Sequence, residues 1–206
     1  MSDTLLDIAM LHADSLIINA RAGSTRAFSK LVSLWYKRIY NFGFKYFGDH
    51  DMAMEIAQKS FITVHQSLKM LKDPGSFKPW LYRIAINHCH DEERKSRRDK
   101  VFSMFKEDGR MDEMLETQME APSNAPDSAL HKNDLAHVVI NSLSQLSEEQ
   151  REVVIMKEYE GLKFKEIASI LTISENTAKS RLYYALKTMK KYLERANVSP
   201  ESYSYE

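Results

Sequence analysis

Apolar residues recur with the spacing of one helix face along most of this 206-residue chain, and this pattern limits the possible folds more than any other feature. The first such face follows the i, i+3, i+4, i+7 rule and consists of Phe28, Leu31, Val32, Trp35, Ile39 and Phe42. No sustained stretch alternates apolar and polar residues with the period of two that a half-buried strand requires. The spacing therefore predicts an all-α fold.

Short breaks divide the first block into three helices. The segment Gly48 to Asp51 ends the first helix, and the sequence KDPGSF, from Lys72 to Phe77, is typical of a turn. The helix between these breaks is expected to bury Ala57, Phe61, Val64 and Leu68. The helix after the turn is expected to bury Phe77, Leu81, Ile84, Ala85 and His88.

The helical pattern fails from about Asp99 to Asp127. This stretch is acidic, contains Pro122 and Pro126, and has few large apolar residues, which is the composition of a flexible linker. The chain is therefore expected to form two small helical domains, residues 1–98 and 129–195, joined by an acidic linker, residues 99–128. A short polar tail, residues 196–206, follows the second domain.

The second block predicts a helix-turn-helix. Ser147 and Gln150 form a plausible capping box for a helix through about Tyr159. The next helix has an apolar face of Phe164, Ile167, Ala168 and Leu171, and the turn Thr172-Ile173-Ser174 follows it. In the last helix the inward residues are expected to be Ala178, Leu182, Ala185, Leu186, Met189 and Leu193.

The start of that last helix has the side chains of a DNA-reading helix. Ser174 is placed to cap it, and its first two turns are expected to expose Glu175, Asn176, Thr177, Lys179, Ser180 and Arg181. Recognition helices present short hydrogen-bonding groups and cations to base edges at their N-terminal end. The same pattern also fits an ordinary helical hairpin with a solvated polar face.

A polar stripe lies opposite the apolar face of the third helix. It consists of Arg83, Asn87, His90, Asp91, Arg94 and Arg98. A cationic stripe beside aromatic residues and a loop suits single-stranded DNA, whose phosphates follow the charge while an unstacked base enters a pocket. A solvated helix face is the alternative, and Phe77 and Trp80 fit a plain core equally well.

Other features exclude several classes of protein. No stretch of about 18 apolar residues predicts a membrane span, the first residues do not resemble a secretory signal, and a single cysteine, Cys89, suits a reducing cytoplasm. Adjacent helical residues point about 100° apart, so His88, Cys89 and His90 do not form a metal site. No cofactor is expected. The net charge is zero, yet residues 61–100 hold nine basic and five acidic residues, whereas residues 101–135 hold three basic and eight acidic ones.

Three segments together resemble the extracytoplasmic-function (ECF) branch of the bacterial sigma-70 family. The sequence HDMAMEIAQKSF is similar to the family's polymerase-binding segment, and FKPWLYRIAINHCHDEERKSRR resembles the helix that melts and reads the minus-ten element. The sequence LSEEQREVVIMKEYEGLKFKEIASILTISENTAKSRLYYALK resembles the domain that reads the minus-thirty-five element. The resemblance covers roughly Ala27–Arg98 and Val138–Leu193.

The resemblance implies a role for three groups of residues. Contact with core RNA polymerase is implied for Glu55, Gln58, Lys59 and Ile62. Contact with the minus-ten element is implied for Lys72, Asp73, Gly75, Ser76, Phe77, Lys78, Arg83, Asn87, Asp91, Arg94 and Arg98. Contact with the minus-thirty-five element is implied for Ser174, Glu175, Asn176, Thr177, Lys179, Ser180 and Arg181. The chain departs from the family at Lys59, where an acid is usual, and at Lys163, where Ser is frequent.

The expected function is that of a non-enzymatic, cytoplasmic sigma factor. Its implied partners are core RNA polymerase, promoter DNA and an anti-sigma factor, with no insertion into a membrane. One alternative is a stand-alone helix-turn-helix regulator, which would bind a promoter without polymerase. The other is a nucleic-acid enzyme, which would need a carboxylate cluster or metal triad that the sequence does not show.

Overall fold

The N-terminal half of the protein is built from helices that surround one core. A computed structural model describes residues 14–106 and 137–195. Its first half contains α1, of which residues 14–21 are described, α2 (Thr25–Phe47), α3 (His50–Ser67) and α4 (Phe77–Lys106). Two 3-10 turns, Leu68–Met70 and Pro74–Ser76, connect α3 to α4.

The C-terminal half is also helical. It contains α5, described over residues 137–144, α6 (Glu148–Val154), α7 (Phe164–Leu171) and α8 (Glu175–Arg195). A single π-helical turn, Ile155–Tyr159, continues α6. Over the two described ranges every regular element is a helix, which confirms the all-α prediction. The predicted tail and most of the predicted linker lie outside the described residues.

The break between α2 and α3 is two residues long, Gly48 and Asp49, whereas the sequence predicts a break of four residues. Gly48 ends α2 in the left-handed conformation, with φ of 71°, and its amide donates to the carbonyl of Phe44 at 2.7 Å. Asp49 then caps α3 by accepting from the amide of Met52 at 2.7 Å. Helix α3 therefore begins at His50, inside the predicted break.

The core of the N-terminal half lies between α2, α3 and α4. Leu31, Ile39, Phe42, Ala57, Val64 and Leu81 are fully or almost fully buried there, as their helical spacing predicts. His88 is half-buried rather than part of the dry core, and its Nε2 lies 2.9 Å from the hydroxyl of Thr63. Burial lowers the pKa of His88, so its neutral form is favoured.

Helix α4 is longer than the sequence pattern predicts. The predicted linker begins at residue 99, but the helix continues to Lys106. Neither Gly nor Pro occurs between Arg98 and Lys106, so nothing in the backbone chemistry ends the helix there. Loss of the apolar repeat therefore does not mark where α4 stops being helical.

The core of the C-terminal half is formed by α5 to α8. Ser147 caps α6 as predicted, by accepting from the amide of Gln150 at 3.4 Å, and the helical run does reach Tyr159. In α8, Ala178 and Ala185 are buried, but Leu186 is 45% exposed. The prediction for Leu186 is wrong because it lies about 100° around the helix from Ala185, away from α6 and α7.

The turn between α7 and α8 contains a strained residue. Thr172 has φ of 58° and is the non-glycine residue with positive φ within the described ranges. Its amide donates to the carbonyl of Ala168, so the residue ends α7 in the position that glycine usually takes. A β-branched side chain is disfavoured there because it crowds the backbone.

We expect Thr172→Gly to raise the free energy of unfolding by about 0.5–1 kcal/mol. The substitution relieves the left-handed strain, and the greater freedom of glycine in the unfolded chain offsets part of the gain. Denaturant unfolding monitored by circular dichroism would measure the change. Lys187→Gly, at an exposed site inside α8, is the control and should lower stability by about 1 kcal/mol. A lower stability for Thr172→Gly would contradict the assignment of strain.

Candidate nucleic-acid interface

The loop before α4 is preorganised by one aspartate. The carboxylate of Asp73 accepts from the amide of Gly75 at 3.1 Å and from the hydroxyl of Ser76 at 2.7 Å. Both bonds fix the Pro74–Ser76 turn, and Lys72, Gly75 and Ser76 are left exposed around it. The loop is therefore a shaped and accessible surface.

Phe77 does not belong to that exposed surface. It is 1% exposed and makes an edge contact with Trp35, with ring centroids 5.6 Å apart, and a tilted contact with Trp80 at 6.0 Å. The core alternative is therefore the right one for Phe77, which supports the loop from beneath. Lys78 is half-buried, and its ammonium donates to the carbonyl of Glu160 in the C-terminal half at 2.6 Å.

The polar stripe of α4 faces the C-terminal half. Arg83 donates to the carbonyl of Ser169 on α7 and to its hydroxyl at 3.1 Å. Asn87, Asp91, Arg94 and Arg98 are exposed, and Asp91 pairs with Arg94 along the helix. The structure thus places part of the predicted minus-ten stripe against the C-terminal half, a contact that the sequence does not predict.

The first turns of α8 form a second polar surface. The hydroxyl of Ser174 accepts from the amide of Thr177 at 2.9 Å, which is the predicted cap. The exposed residues are Ser174, Glu175, Asn176, Thr177, Lys179 and Ser180. Arg181 differs from the prediction, because its side chain is only 29% exposed and lies 3.5 Å from a carboxylate oxygen of Glu152.

Glu152 is the residue that sequence reasoning misses. It lies on α6, is 4% exposed, and its other carboxylate oxygen lies 2.9 Å from Nε2 of His90 on α4. Burial of a carboxylate costs free energy unless the group has charged or hydrogen-bonding partners. His90 and Arg181 are these partners for Glu152. The hydrogen bond to Glu152 raises the pKa of His90.

Further polar contacts join the two halves around this pair. Tyr82 donates its hydroxyl to the carboxylate of Glu160, and both burial and Glu160 raise the pKa of that tyrosine. Arg97 pairs with Glu148 at the rim. Arg151 donates to the carbonyl of Tyr46 at the end of α2 at 2.9 Å.

An apolar groove lies between α2 and α3 in the N-terminal half. It is lined by Phe28, Val32, Tyr36, Gln58, Phe61, Ile62, His65 and Gln66. Ile62 is 57% exposed there and adds its apolar side chain to the accessible surface of the groove. Two of the residues predicted to contact polymerase, Gln58 and Ile62, therefore lie on this groove.

The other two predicted polymerase contacts form an ion pair. The ammonium of Lys59 lies 2.6 Å from Glu55 and 2.5 Å from Glu92 on α4. Hydrogen bonds to these carboxylates raise the pKa of Lys59. Lys95 also lies 3.8 Å from Glu92, so the lysine that replaces the family's usual acid belongs to a cluster of two acids and two lysines.

The described residues do not place three potential metal ligands of the His, Cys, Asp or Glu type together. His88 and His90 contact different helices, at Thr63 and Glu152, and Cys89 between them is buried, which raises the pKa of its thiol. Within the same ranges no helix is long and apolar enough to cross a membrane.

Comparison with known proteins finds two family matches within this chain. The family description Sigma-70 region 2 matches residues 31–99, which hold most of α2, all of α3 and the first part of α4. The description Sigma-70, region 4 matches residues 137–196, which hold α5 to α8. Together the two matches cover more than half of the chain in the family's order.

The chain belongs to the sigma-70 family. Its curated relatives place it in the ECF branch, and its function is that of a sigma factor that directs RNA polymerase to promoters. The RNA polymerase sigma-H factor of Pseudomonas aeruginosa is 27% identical over 87% of this chain and 92% of its own length. The ECF RNA polymerase sigma factor SigW of Bacillus subtilis is 27% identical over 86% of this chain and 94% of its own length.

Solved structures share the fold of this sigma factor. The complex of CnrH with the cytosolic domain of CnrY matches with a TM-score of 0.65 and 20% identity, over 89% of this chain and 98% of the solved one. The sigma factor RpoE in complex with the anti-sigma factor NepR, from Bartonella quintana, matches with a TM-score of 0.65 and 21% identity. The match covers 82% of this chain and 98% of the solved one.

We expect Arg151→Ala to lower the free energy of unfolding of this sigma factor by about 2–4 kcal/mol. The guanidinium donates to the carbonyls of Leu143 at 3.1 Å and Leu146 at 3.2 Å, as well as to Tyr46, and truncation leaves all three without this charged donor. Urea unfolding would measure the loss. Arg26→Ala, at an exposed site on α2, is the control and should change stability by less than about 0.5 kcal/mol. Equal effects of the two variants would contradict the bridging role.

Proposed function

We propose that this sigma factor binds core RNA polymerase through the α2–α3 groove and reads two promoter elements with two separate surfaces. The loop 72–76 and the stripe of α4 contact the minus-ten element, and the start of α8 contacts the minus-thirty-five element. The proposal rests on the presence of two exposed polar helix faces in one chain. One face lies in the region 2 match and the other lies in the region 4 match.

The start of α8 suits the major groove of double-stranded DNA. Asn176 offers an amide that pairs with adenine, and Lys179 offers a cation for guanine or phosphate. The ammonium of Lys179 also lies 5.7 Å from the ring centre of Phe164, which orients the side chain at the surface. Arg181 contributes to this surface while it remains paired with Glu152.

The loop and α4 suit an opened strand. Lys72 and the turn fixed by Asp73 form the exposed rim, and Asn87, Asp91 and Arg94 continue along the helix. Arg83 and Lys78 are bonded to the C-terminal half, so they contact DNA only after leaving those partners. Phe77 takes no direct part, because it is buried.

The two surfaces work together through polymerase. Two weak DNA-binding units on one chain gain affinity for a promoter when polymerase holds both units near it. A net charge of zero limits non-specific attraction of the free protein to DNA. We place the protein in the cytoplasm, without catalysis of its own, and propose an anti-sigma partner, as in the solved complexes of CnrH and RpoE.

We expect Ile62→Glu to weaken binding to core RNA polymerase by at least about tenfold, because it places a charge in the apolar groove. Leu34→Glu is a matched control, since Leu34 is 56% exposed on α2 and does not line the groove. Affinity of each variant for purified core enzyme would be measured by fluorescence anisotropy. If the wild-type chain ignores core enzyme and binds promoter duplex alone, the protein acts as a stand-alone regulator and the proposal is wrong.

We expect Lys179→Ala to weaken binding of the holoenzyme to a cognate promoter by about fivefold or more, while affinity for core enzyme stays unchanged. Lys191→Ala, on an exposed site near the end of the same helix, should change promoter binding much less. The promoter would first be obtained by sequencing transcripts made by the holoenzyme on genomic DNA. Loss of core binding in Lys179→Ala would show that α8 has a different role.

A further inference from the structure

We propose that Arg21, at the end of α1, is a positioning residue for promoter reading, which holds loop 72–76 in the shape that accepts an unstacked base of the minus-ten element. The inference rests on the proposed assignment of this loop to the minus-ten element. It adds α1 to the promoter-reading part of the protein, although no side chain of α1 is among the predicted DNA contacts.

The guanidinium of Arg21 bonds the backbone where the loop begins. Its Nη1 donates to the carbonyl of Leu71 at 2.9 Å and to the carbonyl of Lys72 at 3.2 Å. Among the described residues, no backbone amide donates to either carbonyl. An ionised donor makes stronger hydrogen bonds than a neutral one, so this contact from a residue 50 positions earlier in the chain fixes the direction of both carbonyls.

Arg21 itself lies on a fixed corner of the backbone. Ile17, one turn earlier on α1, is 3% exposed and packs in the core. The turn after α1 contains Gly23 in the left-handed conformation, with φ of 100°. Ser24 then caps α2 by accepting from the amide of Ala27 at 3.2 Å. The guanidinium therefore reaches the loop from a support that the core and two helix ends hold in place.

The two bonds determine which way the amides at the start of the loop point. In a trans peptide the N–H lies opposite the C=O, so the amides of Lys72 and Asp73 point away from α1. Both residues are exposed, and neither amide bonds another backbone group within the described ranges. The loop thus offers two adjacent donors on the side away from Arg21. Such donors suit the acceptor atoms on the edge of an unstacked base.

Arg21 and Asp73 hold the loop at different points. Asp73 accepts from Gly75 and Ser76, which fixes the turn, whereas Arg21 fixes the peptides that lead into the turn. Without the guanidinium the turn persists, but the entry peptides rotate about their backbone dihedrals and the two amides lose their common direction. Loss of Arg21 therefore lowers selectivity between bases as well as affinity.

The test measures how strongly the holoenzyme discriminates between bases of the minus-ten element. Fluorescein-labelled non-template single strands carry the element, as found from the transcripts of the holoenzyme, with each position changed in turn to the other bases. The ratio of Kd for the changed and the original base gives the discrimination at that position. We expect Arg21→Gln to reduce this ratio by about fivefold at the position where Asp73→Ala also reduces it, and to leave the other positions unchanged.

Two other roles of Arg21 give different results. A direct contact with phosphate lowers affinity equally for every base and reduces the salt dependence of log Kd by about one phosphate contact. A purely structural role lowers the free energy of unfolding and leaves discrimination as in the wild type. Either result for Arg21→Gln would overturn the proposal.

Two further variants serve as controls, and all variants should bind core enzyme as the wild type does. Arg21→Lys keeps a charged donor and should discriminate better than Arg21→Gln, so an equal loss in both would contradict the bond to the carbonyls. Arg26→Gln removes an exposed cation at the start of α2 and should keep the wild-type discrimination. An equal loss in Arg26→Gln would show that positive charge in general is responsible, and the proposal would be wrong.

Amide hydrogen exchange of the free chain separates this inference from the proposed function. Arg21→Gln should speed exchange in a peptide spanning residues 68–76 and leave α4 unchanged, and unchanged exchange in that peptide would overturn the inference. If Asp73→Ala reduces discrimination but Arg21→Gln does not, the proposed function stands and the inference fails. If exchange is faster in Arg21→Gln but Asp73→Ala discriminates as the wild type does at every position, loop 72–76 does not read the minus-ten element, and both fail.

Discussion

One guanidinium bonds backbone groups in both halves of this protein. Arg151 donates to carbonyls at the end of α2 and at the end of α5, which are groups that a helix cannot satisfy internally. Its charge also lies 5.5 Å from the ring centre of Tyr46. The same side chain thus caps two helices from different halves, and the neighbouring residue Glu152 is carried into the interface by the same turn of α6.

Helix α4 contacts both halves of the protein through different faces. Its buried face completes the core with α2 and α3, whereas its polar stripe bonds α6 and α7 in the free chain. Two members of the stripe have partners in the C-terminal half, since Arg83 bonds Ser169 and His90 bonds Glu152.

The local features of this fold could be predicted from the sequence, and the contacts between the halves could not. Helical spacing located the buried faces, and the caps at Ser147 and Ser174 follow from residue type next to a break. Glu152 looks like any acid on a short helix, because its partner His90 lies 62 positions away. Arg181 was expected to be exposed for the same reason, since nothing in its own helix reveals the acid beneath it. For Phe77 the residue type was the better predictor. Its apolar side chain indicated burial, which is observed, whereas its place at the end of the loop suggested contact with DNA.

Because α4 is uninterrupted, its number of residues determines the direction in which the chain continues beyond it. The helix spans 30 residues, or about 45 Å at 1.5 Å per residue, and it carries the chain from the exposed loop at its start to Lys106. One inserted residue after Arg98 would turn the following chain by about 100° around the helix axis, whereas a change of about four residues would shift it by one turn and nearly restore its direction. Length variation in this part of the protein should therefore be tolerated in steps of whole helical turns.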